Sequence, residues 1–359
     1  MSLPVPSQST AAAGAKILAS EWNSDVRDAV DYLVALQGGT GRRNALTNSH
    51  FDIWQAGTTA TIPTGGTGIY LADQWVAYRN AAGATVSQQT GPTGQKFKMR
   101  VQRNAANTST TALKICQPIE SRDSLSFAGQ SASLRLTLAA GANFSAAAST
   151  VTIRVEYGTG TDQNPISGFT GTADALSTTQ VITTTPTDYT FDNIAIPDTA
   201  TQLAVWVEWI PVGTAGAADF VEISAGQLSV GSAAGYERLP ISQTRDECQH
   251  YYWQWGPGVD VSNIANGNCS GTTTADFILD LPTTMRTPPT VTFSADNDFS
   301  TFVGTATNTT AMSQISPTSR SDAVFIRATV ASGLTVGHAV YLRNTQDPTN
   351  AAIYVNARL

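Results

Sequence analysis

Alternation of apolar and polar residues dominates the chain from Asn44 to about Ser232. Phe97, Met99 and Val101 alternate with Lys98, Arg100 and Gln102, and Leu134, Leu136 and Leu138 flank Arg135 and Thr137. Val151, Ile153, Val155 and Tyr157 flank Thr152, Arg154 and Glu156, and Leu203, Val205, Val207 and Trp209 alternate with Ala204, Trp206 and Glu208. A period of two puts each apolar set on one face of a strand and the polar set on the other. With further strands near Trp75, Leu113, Val181, Phe191 and Val221, this region predicts about ten strands separated by Gly, Asn, Pro and Asp turns, with no helix between them. The pattern is that of a jelly-roll β-sandwich. Residues 276–281, 290–293, 323–330, 339–343 and 353–359 alternate or run apolar again, which predicts a second, smaller β-sandwich. The Arg286-Thr287-Pro288-Pro289 break places 290–293 at an edge, because proline has no N–H for a ladder.

One segment has a helical period. Leu18, Trp22, Val26, Ala29, Val30 and Leu33 recur at three- and four-residue spacing, with Ser20 as a cap and Glu21 in the first turn. Before it, residues 1–15 are mostly Pro, Ser, Thr and Ala and read as an extended arm. After it, Gly38-Gly39-Thr40-Gly41 separates the helix from the first β region. A single amphipathic helix cannot bury its own stripe. Three copies packing about an axis, docking into another protein, or folding back on the same chain would each cover Leu18, Trp22, Val26, Val30 and Leu33.

Between the two β regions lies the stretch 235–255. Arg238-Leu239-Pro240 ends any strand, and from Ser242 a short helix is expected to carry Cys248, Tyr251 and Tyr252. His250 leads into Tyr251, Tyr252, Trp253 and Trp255. This aromatic cluster is either an apolar plug between two sandwiches or a platform on which sugars stack. Trp206, on the polar side of its strand, Trp54, and Trp75 with Tyr78 are further candidates for glycan stacking, each with core packing as its alternative. The organisation predicted is an arm plus helix over 1–41, a jelly roll over 42–240, and a junction helix with a C-terminal sandwich over 241–359.

Charge narrows the partners. Charged residues make up 13% of the 359, against about a quarter in ordinary soluble domains, and the net charge is −7. That balance, with no basic run longer than Arg42-Arg43, argues against a phosphate backbone as ligand. The N-terminus lacks the basic head and apolar core of a signal peptide, and no segment has the length and apolarity of a membrane-spanning helix. The expectation is synthesis in a cytoplasm, without membrane insertion. Cys116, Cys248 and Cys269 are too scattered for a disulfide framework or a metal motif and read as buried thiols. The three histidines, His50, His250 and His338, lie in no catalytic signature. Asp52, Asp73, Glu156, Glu208 and Glu222 fall where alternation turns them mostly toward water. Thr64-Gly65-Gly66-Thr67-Gly68 and Gly158-Thr159-Gly160-Thr161 read as loop tips, since phosphate cradles need a helix after them. No enzyme activity and no cofactor is expected.

Three stretches together resemble a known family. P-V-P-S-Q-S-T-A-A-A-G-A-K-I-L-A-S-E-W-N-S-D-V-R-D-A-V-D-Y-L at the start is similar to the N-terminal attachment segment of tailed-bacteriophage fibre and minor tail proteins. N-A-L-T-N-S-H-F-D-I-W-Q-A-G-T, followed by Tyr70-Leu71-Ala72-Asp73-Gln74-Trp75, resembles the start of the carbohydrate-binding-module-like jelly roll in phage fibres. Ala233 to Pro240 and Cys248-Gln249-His250-Tyr251-Tyr252 look like that family's closing signature. The resemblance covers roughly residues 1–255. It implies a virion protein, a rigid homotrimeric appendage held to tail, neck or capsid proteins through residues 1–37, with β domains facing host cell-surface glycans. A head-decoration or neck protein without receptor binding is the alternative, and a capsule-degrading enzyme a further one. In glycan-binding modules of this shape an acid at the position of Asp52 often helps hold calcium; no second ligand is matched here, and no metal is assigned.

Overall fold

Of the 359 residues, a computed structural model describes 44–359, apart from 67, 233–234, 259, 316–319 and 345–348. The arm and the helix carrying Leu18, Trp22, Val26, Val30 and Leu33 lie outside the described residues. Within them the protein is mostly β, as the alternation predicts. No described helix is long and apolar enough to cross a membrane.

The first unit contains β1 (Thr59–Thr61), β2 (Ile69–Tyr70), β3 (Val76–Arg79), β4 (Ala84–Thr90), β5 (Phe97–Arg103), β6 (Leu113–Ile119), β7 (Ser131–Ala140), β8 (Thr150–Gly158), β9 (Ala173–Val181), β10 (Thr187–Ala195), β11 (Gln202–Trp209) and β12 (Phe220–Val230). Among the described residues these form two six-stranded antiparallel sheets, β1-β4-β5-β12-β7-β10 and β2-β3-β6-β11-β8-β9. The inward side chains of both sheets meet in one core: Val86, Met99, Val101, Leu134, Leu136 and Leu138 from the first, Leu113, Ile115, Ile153, Val155, Leu203 and Val205 from the second. Trp75 lies in this core, and Gly226 on β12 makes room for it. A Cβ at Gly226 would sit 3.3 Å from the indole and 3.1 Å from Leu46. Among the described residues the only α-helical turn between these strands is α1 (Ser121–Ser124), after β6, with 3-10 turns at Leu125–Phe127 and Ala147–Ser149.

Beyond β12 comes α2 (Ile241–Gln249). It carries Cys248 as expected but stops before Tyr251 and Tyr252, because the latter opens β13 (Tyr252–Trp255). The remaining strands are β14 (Asn263–Cys269), β15 (Thr274–Asp280), β16 (Thr290–Phe293), β17 (Ser300–Val303), β18 (Thr305–Gln314), β19 (Ala323–Val330), β20 (Ala339–Arg343) and β21 (Ile353–Asn356). The second β unit has its own core, including Phe277, Phe299, Val324, Ile326, Leu342 and Val355. Its hydrogen bonding takes a form that alternation does not reveal. Strands β14-β15-β19-β18-β17-β20 close into a barrel, and β13-β21-β16 form a three-stranded sheet with β16 at its edge. Closure leaves these six strands without an open edge. Gly267 permits the tight approach of β14 to β15, since a Cβ there would lie 2.1 Å from the Asp276 carbonyl oxygen.

Candidate functional site

Trp75 is fully buried, its ring tilted against Phe51 at 5.0 Å between centroids and its indole N–H donating to the Asn48 carbonyl at 3.3 Å. Trp206 does lie on the outer face of its sheet, as its place in the alternation predicts, yet it is only 4% exposed. The β8–β9 connection brings Ile166 and Phe169 against the cluster of Val76, Cys116, Ala204 and Trp206. The Trp206 indole donates to Glu156 at 2.5 Å, and the cations of Lys114 and Arg154 sit 5.6 and 5.7 Å from its ring. Neither tryptophan has a free ring face for a sugar, so both are corrected to packing positions. Alternation says that a residue leaves the core; it does not say what a loop then lays over it.

The other three candidate tryptophans are half-buried. Trp54 packs on the sandwich core and donates to the Phe51 carbonyl at 2.5 Å. Trp253 and Trp255 pack on the core of the second unit from β13. Tyr251 and Tyr252 are buried. The aromatic run therefore mainly plugs the junction.

The outward carboxylates are also less open than expected. Asp73, Glu156 and Glu222 are buried, each beneath a partner. On the outer face of the first sheet Glu222 takes Lys98 at 2.7 Å and Arg100 at 2.6 Å, and Arg100 lies 3.8 Å over the Phe220 ring. A second cluster on that face joins Arg135 to Asp188 at 2.5 Å under the Tyr236 ring, with Thr137 bonded to both Asp188 and Tyr236. Glu208 pairs with Lys114 at 3.0 Å. Asp52 faces Arg238 at 3.3 Å, a cation where the resemblance would put calcium. Among the described residues no group of three or more His, Cys, Asp or Glu side chains is placed to hold a metal ion. All three cysteines are buried thiols outside any disulfide, and burial pushes the Cys116 thiol well up.

The seam between the two units is the most elaborate polar assembly. Tyr251 donates to Glu120 at 3.0 Å, and His250 approaches the same carboxylate at 3.6 Å while its Nδ1 meets the Thr284 carbonyl at 2.7 Å. Glu120 raises the basicity of His250, and His250 in turn holds Glu120 below the usual carboxylate range. Arg286 reaches Asp162 at 2.9 Å and the Ala357 carbonyl at 2.9 Å. The chain end returns to the sandwich: the Leu359 carbonyl accepts from the Tyr70 hydroxyl at 2.9 Å and from Asn164 at 3.2 Å. Arg358 is inserted over the rings of Tyr252 at 3.8 Å and Tyr70 at 4.8 Å, with Asp73 at 3.7 Å. Burial draws Arg358 down and Asp73 up from their ordinary values. A cleft of about 180 Å³ opens beside the seam, lined by Thr47, Glu120, Arg122, Asp123, Glu247, His250 and Tyr251. Arg358 carried no signal in the sequence, being one terminal arginine whose partners are more than 100 residues away.

No family model and no curated protein matches the chain. Solved structures similar to it include a CBM4 module, at 15% identity and a TM-score of 0.32, over 51% of this chain and 97% of that one. The C-terminal family 22 carbohydrate-binding module of Clostridium thermocellum Xyn10B is similar at 19% identity and a TM-score of 0.29, over 45% of this chain and 89% of that one. The enzymatically active domain of bacteriophage CBA120 tailspike protein 4 is similar at 10% identity and a TM-score of 0.34, over 52% of this chain but 21% of that one.

Proposed function

We propose that the protein is a non-enzymatic structural fibre protein of a tailed phage or phage-like particle. It is made in the host cytoplasm, joins the virion as a homotrimer through residues 1–37, and presents its β units to host-surface glycans. The observation that carries this reading is the seam. Glu120, Asp162, Asp73 and Tyr70 of the sandwich each engage the second unit, through Tyr251 and His250, Arg286, Arg358 and Leu359. Two β units tied at four places behave as one stiff body, which suits an appendage that must hold a distal surface away from its anchor. Hydroxyl- and amide-rich outer faces suit sugars, and many copies multiply weak contacts into firm adhesion.

The test compares labelled full-length protein with a version lacking residues 1–41, on host cells and on particles stripped of the protein. The expected result is that the shortened form still labels cells but no longer joins particles. If neither form labels cells while full-length protein joins particles, adhesion is wrong and a decorating role replaces it. If neither joins particles, the virion assignment itself falls.

A further inference from the structure

Among the described residues the outer surface of the barrel carries a feature that the sandwich lacks, an exposed aromatic side chain. Tyr341 on β20 is 42% exposed between buried Val340 and Leu342, and Ile278 on β15 is 53% exposed between Phe277 and Leu279. The register puts them in one row. Asn266 on β14 pairs with Ile278 on one side and Tyr341 on the other, and Tyr341 pairs in turn with Phe302 on β17. Arg343, two residues from Tyr341 and therefore on the same face, lays its guanidinium 3.7 Å over the Phe302 ring and donates from Nε to Asn263 at 2.6 Å. Asn266 and Asn268 are both exposed. Among the described residues their amides and the Tyr341 hydroxyl make no side-chain hydrogen bond.

Two properties of this row identify its ligand. The first is charge. The other arginines on the described outer surface of the barrel or its loops are neutralised, Arg327 by Asp276 at 2.6 Å and Arg320 by Asp322 at 2.6 Å. Arg343 has an amide and a ring but no carboxylate among the described residues. An anionic group on the ligand would complete it in the geometry that guanidinium favours. The second is shape. A six-stranded barrel turns roughly 60° from one strand to the next, so only about three neighbouring strands face one way. That is too little and too convex for the ~800 Å² per partner of a stable protein interface. It is enough for one or two sugar rings, whose C–H faces stack on an aromatic and whose hydroxyls need amides beside it.

We propose that the barrel face centred on Tyr341 binds an acidic glycan. A sugar ring stacks on Tyr341, Asn266 and Asn268 meet its hydroxyls, and a carboxylate of the same or the next sugar reaches Arg343. This rests on the host-glycan reading above and moves the contact from the sandwich to the barrel.

The experiment measures retention of full-length protein on immobilised bacterial capsular polysaccharides that contain uronic acids, with neutral dextran as control. Tyr341→Ala and Arg343→Gln are compared with the unaltered protein, and circular dichroism and melting establish that each is folded. Unaltered protein should bind one or more acidic polysaccharides and not dextran. Tyr341→Ala should weaken that binding at least about tenfold, as loss of a central aromatic anchor does. Arg343→Gln should weaken it by about tenfold and remove most of its salt dependence. Acidic-glycan binding that survives Tyr341→Ala overturns the site and leaves the glycan reading standing. Equal retention on dextran with a silent Arg343→Gln overturns the acidic ligand. If no polysaccharide retains the unaltered protein, site and glycan reading fall together, while anchoring through residues 1–37 is still judged by its own experiment.

Discussion

Two arginines with buried side chains hold the two ends of the sandwich, and they do so by different means. Arg103, at one rim, is caged by oxygen: it donates to the carbonyls of Asn107 at 2.7 Å, Ser109 at 2.9 Å and Gly213 at 2.7 Å, to Ser145 at 3.2 Å, and to Asp219 at 3.3 Å. Arg358, at the seam, lies between aromatic rings. Its Nε and Nη2 have no hydrogen-bond partner among the described residues, where Arg103 lacks one at Nε alone, and Asp73 stands at 3.7 Å, beyond bonding distance. The first cation is locked by directional bonds from several loops at once. The second is held by ring faces and by charge at a distance, interactions that lose less energy when geometry shifts. The contrast implies that the rim depends on Arg103 more than the seam, which has further ties through Tyr251, Arg286 and Leu359, depends on Arg358.

The largest effect should come from Arg103→Met. It strands buried Asp219, which also accepts from the Ser145 amide and hydroxyl, and removes the donor from three carbonyls. Breaking a buried pair costs about 3–5 kcal/mol. Denaturant unfolding of the sandwich should show that loss, and a change under about 1 kcal/mol would contradict the cage.

Arg358→Ala should cost less, about 1–3 kcal/mol, the scale of leaving one buried polar group unsatisfied. Its signature is separation rather than collapse. Because the sandwich and the second unit have distinct cores, calorimetry should resolve two transitions where the unaltered protein shows closer coupling. A single unshifted transition would mean that Arg358 does not hold the seam.

The smallest effect concerns pH. The raised pKa of His250 means that its contribution is complete below about pH 6.5 and fades as pH rises through the higher folded value. Glu120 is shifted the other way: its contribution is complete above about pH 4.3 and fades as pH falls through its lowered folded value. The seam is therefore tightest between about pH 4.3 and 6.5, and since both groups are partly solvated the change above that window stays below about 1 kcal/mol. Hydrogen exchange of the Arg286 amide, which donates to the His250 carbonyl, and of the Ala357 amide, which donates to Tyr251, reads this directly. His250→Gln should flatten the alkaline limb; an unchanged limb would assign the dependence elsewhere.

Much of the strand plan was legible from spacing alone. Residues 290–293, 323–330 and 339–343 are strands with the bounds that their alternation suggested. β4, β14, β17 and β18 are not legible from alternation, because Ser, Thr, Gln, Asn and Gly occupy so many of their positions that neither face reads as apolar. The candidate site was less legible. Alternation puts Trp206 on the correct face, where a loop still covers it, whereas Tyr341 sits in a strand that alternation predicts but carries no signal of its own, because one tyrosine among alternating residues has no distinguishing context.

What the sequence determined by itself is local: many of the segments that extend, and which side of those strands is apolar. These arise from backbone sterics and burial of the nearest apolar side chains, which act over a few residues. The tertiary structure alone decided the closure of the barrel, the covering of Trp206 by Phe169, the insertion of Arg358 between Tyr70 and Tyr252, and the alignment of Asn266, Tyr341 and Phe302. Each depends on register between segments far apart in the chain. Alternation specifies the face of a strand, but only the pairing of strands specifies its neighbours.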